Sequence, residues 1–304
     1  MALIDTILHP TDFSEGAGTA LEHALHLARH FNAVLHVLHV VPAFGEDPVL
    51  NAYAAASGTE HFTQRLRADA EAELRTLAER HLSGVSVRRV ITAGIPGAVI
   101  TEYAAAHEID VVVMGTHGRR GVRRLLLGST AGEVVHRAPC HVLTVRRPDA
   151  PAAEPRPIQR ILAPVDFNEA AGPLLRIARA LASSYGAFLD VLHVIKPLPF
   201  AVTFASPMTI HDLVPDVEQR ARTRLEALFA EAGAEDPPPA AFHVLEGHPA
   251  RAIVQAAEAQ QADLIVVAPR RLGRVEHALL GSVAEHVVRT ATCPVFVAKA
   301  GPAA

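Results

Sequence analysis

The sequence predicts an α/β fold in two tandem domains, each with a parallel β-sheet covered by helices on both faces. Three observations support this prediction. The 304-residue chain repeats itself, because motifs of its first half recur in its second half at a nearly constant spacing. Short apolar segments alternate with segments of helical periodicity, which is the pattern of βαβ units. Most apolar segments are continuous rather than alternating, as expected for strands buried on both faces.

The repeat holds its register along each half. Asp12 matches Asp166 and His39 matches His193, 154 positions apart. Four later matches are 153 positions apart: Pro96 with Pro249, Asp110 with Asp263, Gly128 with Gly281, and Cys140 with Cys293. A surface loop tolerates the loss of one residue, so each half is expected to be a complete domain. The predicted domains are residues 1–146 and 158–300, joined by a proline-rich linker over 147–157.

Strand and helix signals alternate along the first half. Five short apolar segments predict strands: 3–8, 33–40, 85–91, 109–114 and 141–145. Two stripes at helical spacing predict helices between them: Leu21, Ala24, Leu25 and Ala28, then Leu66, Ala70, Leu74 and Leu77.

The second half repeats this pattern. Its predicted strands are 161–165, 188–195, 241–245, 264–268 and 295–298, and its first helical face is Leu174, Ile177, Ala178 and Leu181. Alternating strands and helices imply right-handed crossovers in a Rossmann-like or flavodoxin-like order. Sheets of this kind bind ligands at the carboxyl ends of their strands.

Composition narrows the functional classes. A formal net charge of −4 and a pI near 6.5 argue against a basic nucleic-acid-binding surface. No apolar run reaches the roughly 20 residues needed to cross a bilayer, and the N-terminus lacks a basic signal-peptide start. We therefore expect a soluble, cytoplasmic protein with no membrane or nucleic-acid partner.

Cysteine and histidine patterns predict neither a disulfide framework nor a metal site. The two cysteines lie at equivalent positions before a final strand, where a small buried residue is expected. Of the 18 histidines, His23, His26 and His30 share one helical face, but no cysteine or carboxylate cluster completes a metal site. The sequence also lacks a nucleophile elbow, so no catalytic residue is predicted.

A glycine motif follows the predicted fourth strand, which ends at Met114. Gly115 and Gly118 come next and, after nine intervening residues, Gly128-Ser129-Thr130 opens a helix. Glycines at a strand end let backbone N–H groups approach a phosphate, and a helix N-terminus favours an anion. The alternative is that the glycines only form turns and that Ser129 only caps the helix.

Charged residues near this motif have two interpretations each. Arg119, Arg120, Arg123 and Arg124 lie inside the loop and either clamp phosphate or remain solvated surface charges. The chain's only lysines are Lys196 and Lys299, so a Walker-type lysine is excluded. Asp12 follows Pro10-Thr11 at the end of the first strand, where its carboxylate either accepts hydrogen bonds from an adenosine group or caps the helix that begins near Ser14. Glu133 and Arg137 form an ordinary i,i+4 pair without functional weight.

These motifs together resemble the universal stress protein family. The resemblance rests on Pro10-Thr11-Asp12-Phe13-Ser14, on His39-Val40, and on the spaced glycines from Gly115 to Thr130, and it covers nearly the whole chain. It is similar to the tandem type, with two such domains in one polypeptide. The resemblance implies ATP-binding domains with strand order 3-2-1-4-5, whose fifth strands pair between the two domains as an internal pseudo-dimer.

The resemblance also implies a set of ligand-binding residues. Asp12, with its neighbours Pro10 and Thr11, and the Val40 backbone would hold adenosine. The glycine motif would hold ribose and phosphates through Met114, Gly115, Gly118, Arg119, Gly128, Ser129 and Thr130. The implied cofactor is ATP, which can carry Mg²⁺.

The second half departs from this motif. It has Ala268, Arg271 and Val283 where the first half has Gly115, Gly118 and Thr130. A Cβ and a long side chain crowd the backbone that a phosphate must approach. The sequence therefore predicts one competent site per chain, in the first half.

The leading functional hypothesis is a nucleotide-dependent regulator of stress or dormancy, whose ATP occupancy changes the surfaces offered to a protein partner. Alternatives are a slow ATP hydrolase, a relative of the adenine nucleotide α-hydrolases, an electron-transfer flavoprotein subunit and a nucleotide-free scaffold. The apolar segment 197–204 suggests a lid or a surface for self-association into a homodimer.

Overall fold

The computed structural model describes residues 3–42, 59–117, 127–146, 157–197, 214–233, 236–269 and 280–299. The chain divides into two compact units, residues 1–155 and 156–300, and each is described by itself. Residues 147–156 of the predicted linker and 198–204 of the apolar segment lie outside the described residues. Pairing of the fifth strands between domains stays a prediction.

The first unit is a parallel sheet in the order β3-β2-β1-β4-β5, which confirms the predicted strand order. Its strands are β1 (Thr6–Pro10), β2 (Val34–Pro42), β3 (Val87–Gly94), β4 (Val111–Gly115) and β5 (His141–Val145). Its described helices are α1 (Glu15–Phe31), α2 (Thr59–His81), α3 (Pro96–Ala106) and α4 (Ser129–Arg137).

The second unit has the same order, β8-β7-β6-β9-β10, again with parallel pairing. Its strands are β6 (Arg160–Pro164), β7 (Phe188–Ile195), β8 (Ala240–Glu246), β9 (Leu264–Val267) and β10 (Val295–Val297). Its described helices are α5 (Ala171–Tyr185), α6 (Val217–Glu231), α7 (Pro249–Ala259) and α8 (Ser282–Thr290).

The predicted strands agree with these bounds within a few residues, and the first one shows why some ends differ. It begins at Thr6 rather than Leu3, because the Asp110 carboxylate accepts the backbone N–H groups of Asp5 and Thr6, both at 2.8 Å. Asp263 binds the N–H groups of Gln159 and Arg160 in the same way, both at 2.9 Å. The repeated aspartates therefore fix where the first strand of each sheet begins.

The predicted helical faces of the two first helices pack into the core, except that Ile177 of the second face is half-buried. Leu21, Ala24, Leu25 and Ala28 of α1 are all buried, and so are Leu174, Ala178 and Leu181 of α5. Ser14 caps α1, accepting the Ala17 N–H at 3.2 Å, and Asn32 ends it in the left-handed conformation. The central strands are buried on both faces, as their continuous apolar sequences predict.

Equivalent positions on β2 and β7 carry different buried polar groups. His36 contacts the Tyr103 hydroxyl through Nδ1 at 3.0 Å. Asp190, fully buried at the matching position, accepts Arg160 Nε at 2.6 Å and contacts His243 Nε2 at 2.7 Å. Bonds of this length offset the cost of placing a carboxylate in the core.

We expect Asp190→Ala to lower the free energy of unfolding by about 1.5–3 kcal/mol, because it removes the fully buried acceptor of the charged hydrogen bond from Arg160, whose own side chain is 40% exposed. Urea denaturation measures this loss. The matched control is Asp216→Ala, which removes an exposed partner of Arg220 at 2.8 Å and should leave the free energy of unfolding nearly unchanged. Similar losses for the two variants would contradict a stabilising role for the buried pair.

Histidine burial distinguishes the two halves. Burial lowers the pKa of His9, His23 and His141 to about 4 in each case. The nearby His26 also lowers the His23 pKa, whereas Asp110 partly opposes the effect at His141. The matching residues of the second half are Ala163, Ile177 and Pro294, which do not ionise.

Acidification should therefore destabilise the first half selectively. These folded-state pKa values lie below the ordinary value of 6.5, so their contribution is complete above pH 6.5 and is lost as pH falls towards 4. Each histidine accounts for roughly 3 kcal/mol at full titration. Hydrogen exchange on the whole chain, corrected for intrinsic rates, should show β1 and β4 losing protection between pH 7 and pH 4.5 before β6 and β9. Equal losses in the two sheets would contradict this assignment.

Candidate functional site

The candidate site lies where β1, β2 and β4 end. β1 pairs with β2 on one side and with β4 on the other. After β1 the chain continues to β2 on one side of β1, whereas after β4 it continues to β5 in the opposite direction along the sheet. This is the topological switch point, where the loops after neighbouring strands separate and leave a crevice.

Val40 faces this crevice through its backbone. The last pair between the two strands is Pro10 with Leu38, and Thr11 N–H donates to Leu38 O at 2.9 Å just beyond it. Backbone groups alternate in direction along a strand, so Val40, two residues after Leu38, points to the same side past the end of β1. The ligand-binding role of Val40 stays a prediction.

The turn after β1 is held by short side chains. Thr11 Oγ1 accepts the Phe13 N–H at 3.1 Å, and Asp12 Oδ1 accepts the Ser14 N–H at 3.0 Å. Asp12 therefore braces the turn and does not cap α1, which corrects that alternative, since Ser14 is the capping residue. Phe13 has a φ of 60° and packs against the His39 ring, with centroids 4.6 Å apart.

Pro10 and His9 complete the end of β1. Since Thr11 N–H points to β2, residue 10 faces β4, where proline has no N–H to donate. His9 Nδ1 contacts Val113 O on β4 at 3.0 Å. The carbonyl requires Nδ1 to carry the proton, so Nε2 is an acceptor, and it has no hydrogen-bond partner among the described residues. Burial outweighs the bond to Val113 and the Asp12 charge in setting the low pKa of His9.

The turn after β4 contacts α1 through backbone atoms. A Cβ on Gly115 would lie 2.8 Å from Gly16 O, and a Cβ on Gly16 would lie 2.6 Å from His117 O. Sequence reasoning assigned Gly115 to phosphate approach and did not identify Gly16. The matching residues of the second half, Ala170 and Ala268, were the available signal, since both glycines of the pair are replaced there.

A backbone hydrogen bond joins the two chain segments that flank the glycine-motif loop. Gly128 N–H donates to Thr116 O at 2.9 Å, which joins the residues flanking the loop. Gly128 is the N-cap of α4, and exposed Ser129 is its first helical residue, so Ser129 is not the cap. The N-cap residue Gly128 provides no side-chain cap, and the first turn of α4 has no acidic residue. The first N–H groups of α4 thus have no intrahelical partner.

The remaining predicted residues fall into two groups. Met114 is buried and pairs with Thr144, so its side chain belongs to the core. Thr130 is half-buried in the first turn of α4. Gly118 and Arg119, with Arg120, Arg123 and Arg124, lie outside the described residues.

The Glu133–Arg137 pair is present at 3.1 Å, and Glu133 has a second contact that the sequence did not indicate. A Cβ on Gly97 would overlap the Glu133 carboxylate. Gly97 lies in the first turn of α3, which has no side-chain cap and no acidic residue of its own. The carboxylate therefore complements the positive end of α3 from the neighbouring helix.

The matching end of the second sheet differs in charge and in turn geometry. Phe167 stacks on His193 with centroids 4.0 Å apart, but Asp166 is exposed and α5 begins two residues later in the repeat than α1. Glu285 occupies the first turn of α8, where α4 has Gly132. An acidic residue at a helix N-terminus repels an anion, so Glu285 is a departure that the motif comparison missed.

Comparison with known proteins identifies the family of both halves. The sequence profile of the universal stress protein family matches residues 4–146 and 157–299. The chain belongs to this family.

Two relatives and one solved structure illustrate the extent of the similarity. Universal stress protein MJ0531 of Methanocaldococcus jannaschii is 32% identical over 154 residues, covering 48% of this chain and 84% of that protein. Universal stress protein Rv2005c of Mycobacterium tuberculosis is 30% identical over 232 residues, covering 73% of this chain and 71% of that protein. A universal stress protein structure from Archaeoglobus fulgidus has a TM-score of 0.71 at 24% identity, covering 97% and 98% of the two chains.

Searches for other kinds of site give two observations. Among the described residues, no group of three or more His, Cys, Asp or Glu side chains is arranged to hold a metal ion. No described helix is both long enough and apolar enough to cross a membrane.

Proposed function

We propose that this universal stress protein binds ATP in its first half and acts as a nucleotide-dependent regulator in stress or dormancy. The observation that carries the proposal is the convergence of two backbone features on one crevice. These are the Val40 backbone past the end of β1 and the α4 N-terminus joined to the β4 turn through Gly128 and Thr116.

The chemistry of these groups suits a nucleotide. The Asp12 carboxylate is an acceptor at the end of β1, where its Oδ1 binds the Ser14 N–H, and ribose or adenine has donors that suit such a group. The N–H groups of the first turn of α4, which have no intrahelical partner, and the helix dipole suit phosphates. In this proposal, Pro10, Thr11, Asp12 and Val40 contact adenosine, while Met114 supports the turn from the core. Gly115, Gly118, Arg119, Gly128, Ser129 and Thr130 contact ribose and phosphates.

The proposal assigns one competent site to each chain. Ala268 adds a Cβ at the β9 turn, and Glu285 adds a negative charge to the first turn of α8. Both changes oppose phosphate binding in the second half. The proposed location is the cytoplasm, and the proposed partners are ATP, a second copy of the chain and a regulated protein.

The first test is the nucleotide content of the purified protein. Denaturation followed by chromatography should release about one ATP per chain, as expected for one helix N-terminal phosphate site. Gly118→Arg, which copies the second half, should abolish this content because a long side chain crowds the phosphate approach. The absence of nucleotide, together with no binding of added ATP, would refute the proposal. Release of ADP in a time-dependent assay would instead indicate the hydrolase alternative.

A second test isolates the charge at the α4 N-terminus. Gly132→Glu copies Glu285 and should weaken ATP binding about two- to fivefold, because a carboxylate in the first turn opposes the phosphates. The position tolerates a side chain, since a Cβ there would lie 3.7 Å from Leu127 Cδ2. Isothermal titration calorimetry measures the affinity of each variant for ATP and for adenosine.

Gly132→Gln is the matched control, since it has the same size without the charge. It should bind ATP like the unchanged protein, and adenosine binding should be alike in both variants. If Gly132→Glu and Gly132→Gln weakened ATP binding equally, α4 would not face the phosphates. The same conclusion would follow if Gly132→Glu weakened adenosine binding as much as ATP binding.

A further inference from the structure

We propose that Gly16 is a positioning residue that locks the turn after β1 to the turn after β4, so that the adenosine and phosphate sides of the site are held as one unit. This inference rests on the proposed nucleotide site and deepens it. Gly16 itself is assigned no contact with the ligand.

The argument begins with the closeness of the two backbones. Gly16 O lies 2.8 Å from the position that a Cβ on Gly115 would occupy, and His117 O lies 2.6 Å from that of a Cβ on Gly16. Real Cβ atoms do not approach backbone oxygen this closely, and a backbone oxygen cannot rotate away as a flexible side chain can. Both positions therefore require glycine for this approach.

Each side of the contact leads directly to a part of the candidate site. Gly16 lies in the first turn of α1, two residues after the Ser14 cap, and Ser14 N–H binds the Asp12 carboxylate at 3.0 Å. On the other side, His117 precedes the phosphate loop, and Thr116 O binds the Gly128 N–H at 2.9 Å. A shift at this contact changes the separation between Asp12 and the start of α4.

In the second half, the glycine pair and the start of the first helix both differ from the first half. Both glycines of the contact are alanine there, at Ala170 and Ala268. In that half α5 begins at Ala171, and Asn168, which matches Ser14, receives the Ala170 N–H at 2.9 Å instead of capping the helix. Phe167 also lacks the positive φ of Phe13. The start of the helix therefore differs where the glycine pair is missing.

The test compares two alanine substitutions two residues apart. Gly16→Ala places its Cβ against His117 O, and we expect ATP affinity to fall about tenfold or more, in line with the cost of overpacking. Gly18→Ala meets nothing within 4 Å, so it should keep the ATP affinity and slightly raise the melting temperature. Unchanged ATP affinity in Gly16→Ala would overturn the proposal.

A second readout separates this inference from the proposed function. Without nucleotide, Gly16→Ala should speed hydrogen exchange of the amides in 11–14 and in 116–117 together, whereas Gly18→Ala should change neither segment. If the unchanged protein binds no ATP, the proposed function fails, but this coupled exchange still decides the role of Gly16. Faster exchange in only one of the segments 11–14 and 116–117 would refute the coupling between the two turns.

If Gly16→Ala does not fold, Gly115→Ala probes the same contact from its other side, because its Cβ meets Gly16 O. The same coupled loss of protection is expected for 11–14 and 116–117. Faster exchange in 116–117 without any change in 11–14 would overturn the inference.

Discussion

The close crossing of α1 and the β4 turn is the constraint on which the candidate site depends. Gly16, Gly115 and His117 meet through backbone atoms alone, so the contact has no side chain that can adjust. It fixes where α1 begins and, through Ser14, the geometry of the turn that carries Asp12. It also fixes the strand end from which the phosphate loop departs. The crevice between β1 and β4 is common to folds of this class, but this contact gives it a defined width.

Comparison of the two halves shows that residues in contact change as pairs. Gly16 and Gly115 become Ala170 and Ala268, and Gly97 and Glu133 become Ala250 and His286. The second exchange has a clear physical reason. A Cβ at position 97 would overlap the Glu133 carboxylate, so a larger residue there excludes the acid from that position. In both cases the two halves therefore differ at residues that contact each other, and not at isolated motif positions.

Much of the fold was predictable because its signals are local and repeated. Continuous apolar segments located β5 and β7 at their observed bounds, His141–Val145 and Phe188–Ile195. The start of β1 was less accurate, because Asp110 binds the backbone N–H groups of Asp5 and Thr6 from about 100 residues away, which periodicity cannot reveal. The site was predicted as a set of residues, but its bracing was not. Gly16 and Glu133 act through contacts between distant segments, and neither lies in a motif.

The first half also carries conformational and electrostatic costs that its repeat lacks. Phe13 has a positive φ, and His9 is buried with Nε2 unpartnered within the described residues. At the matching positions, Phe167 has no positive φ and Ala163 has no ionisable group. Strained backbone and costly buried groups persist where other interactions hold them, and they concentrate at functional sites. Their presence in the half that keeps the glycine motif, and their loss in the half without it, argue that these costs belong to the same site.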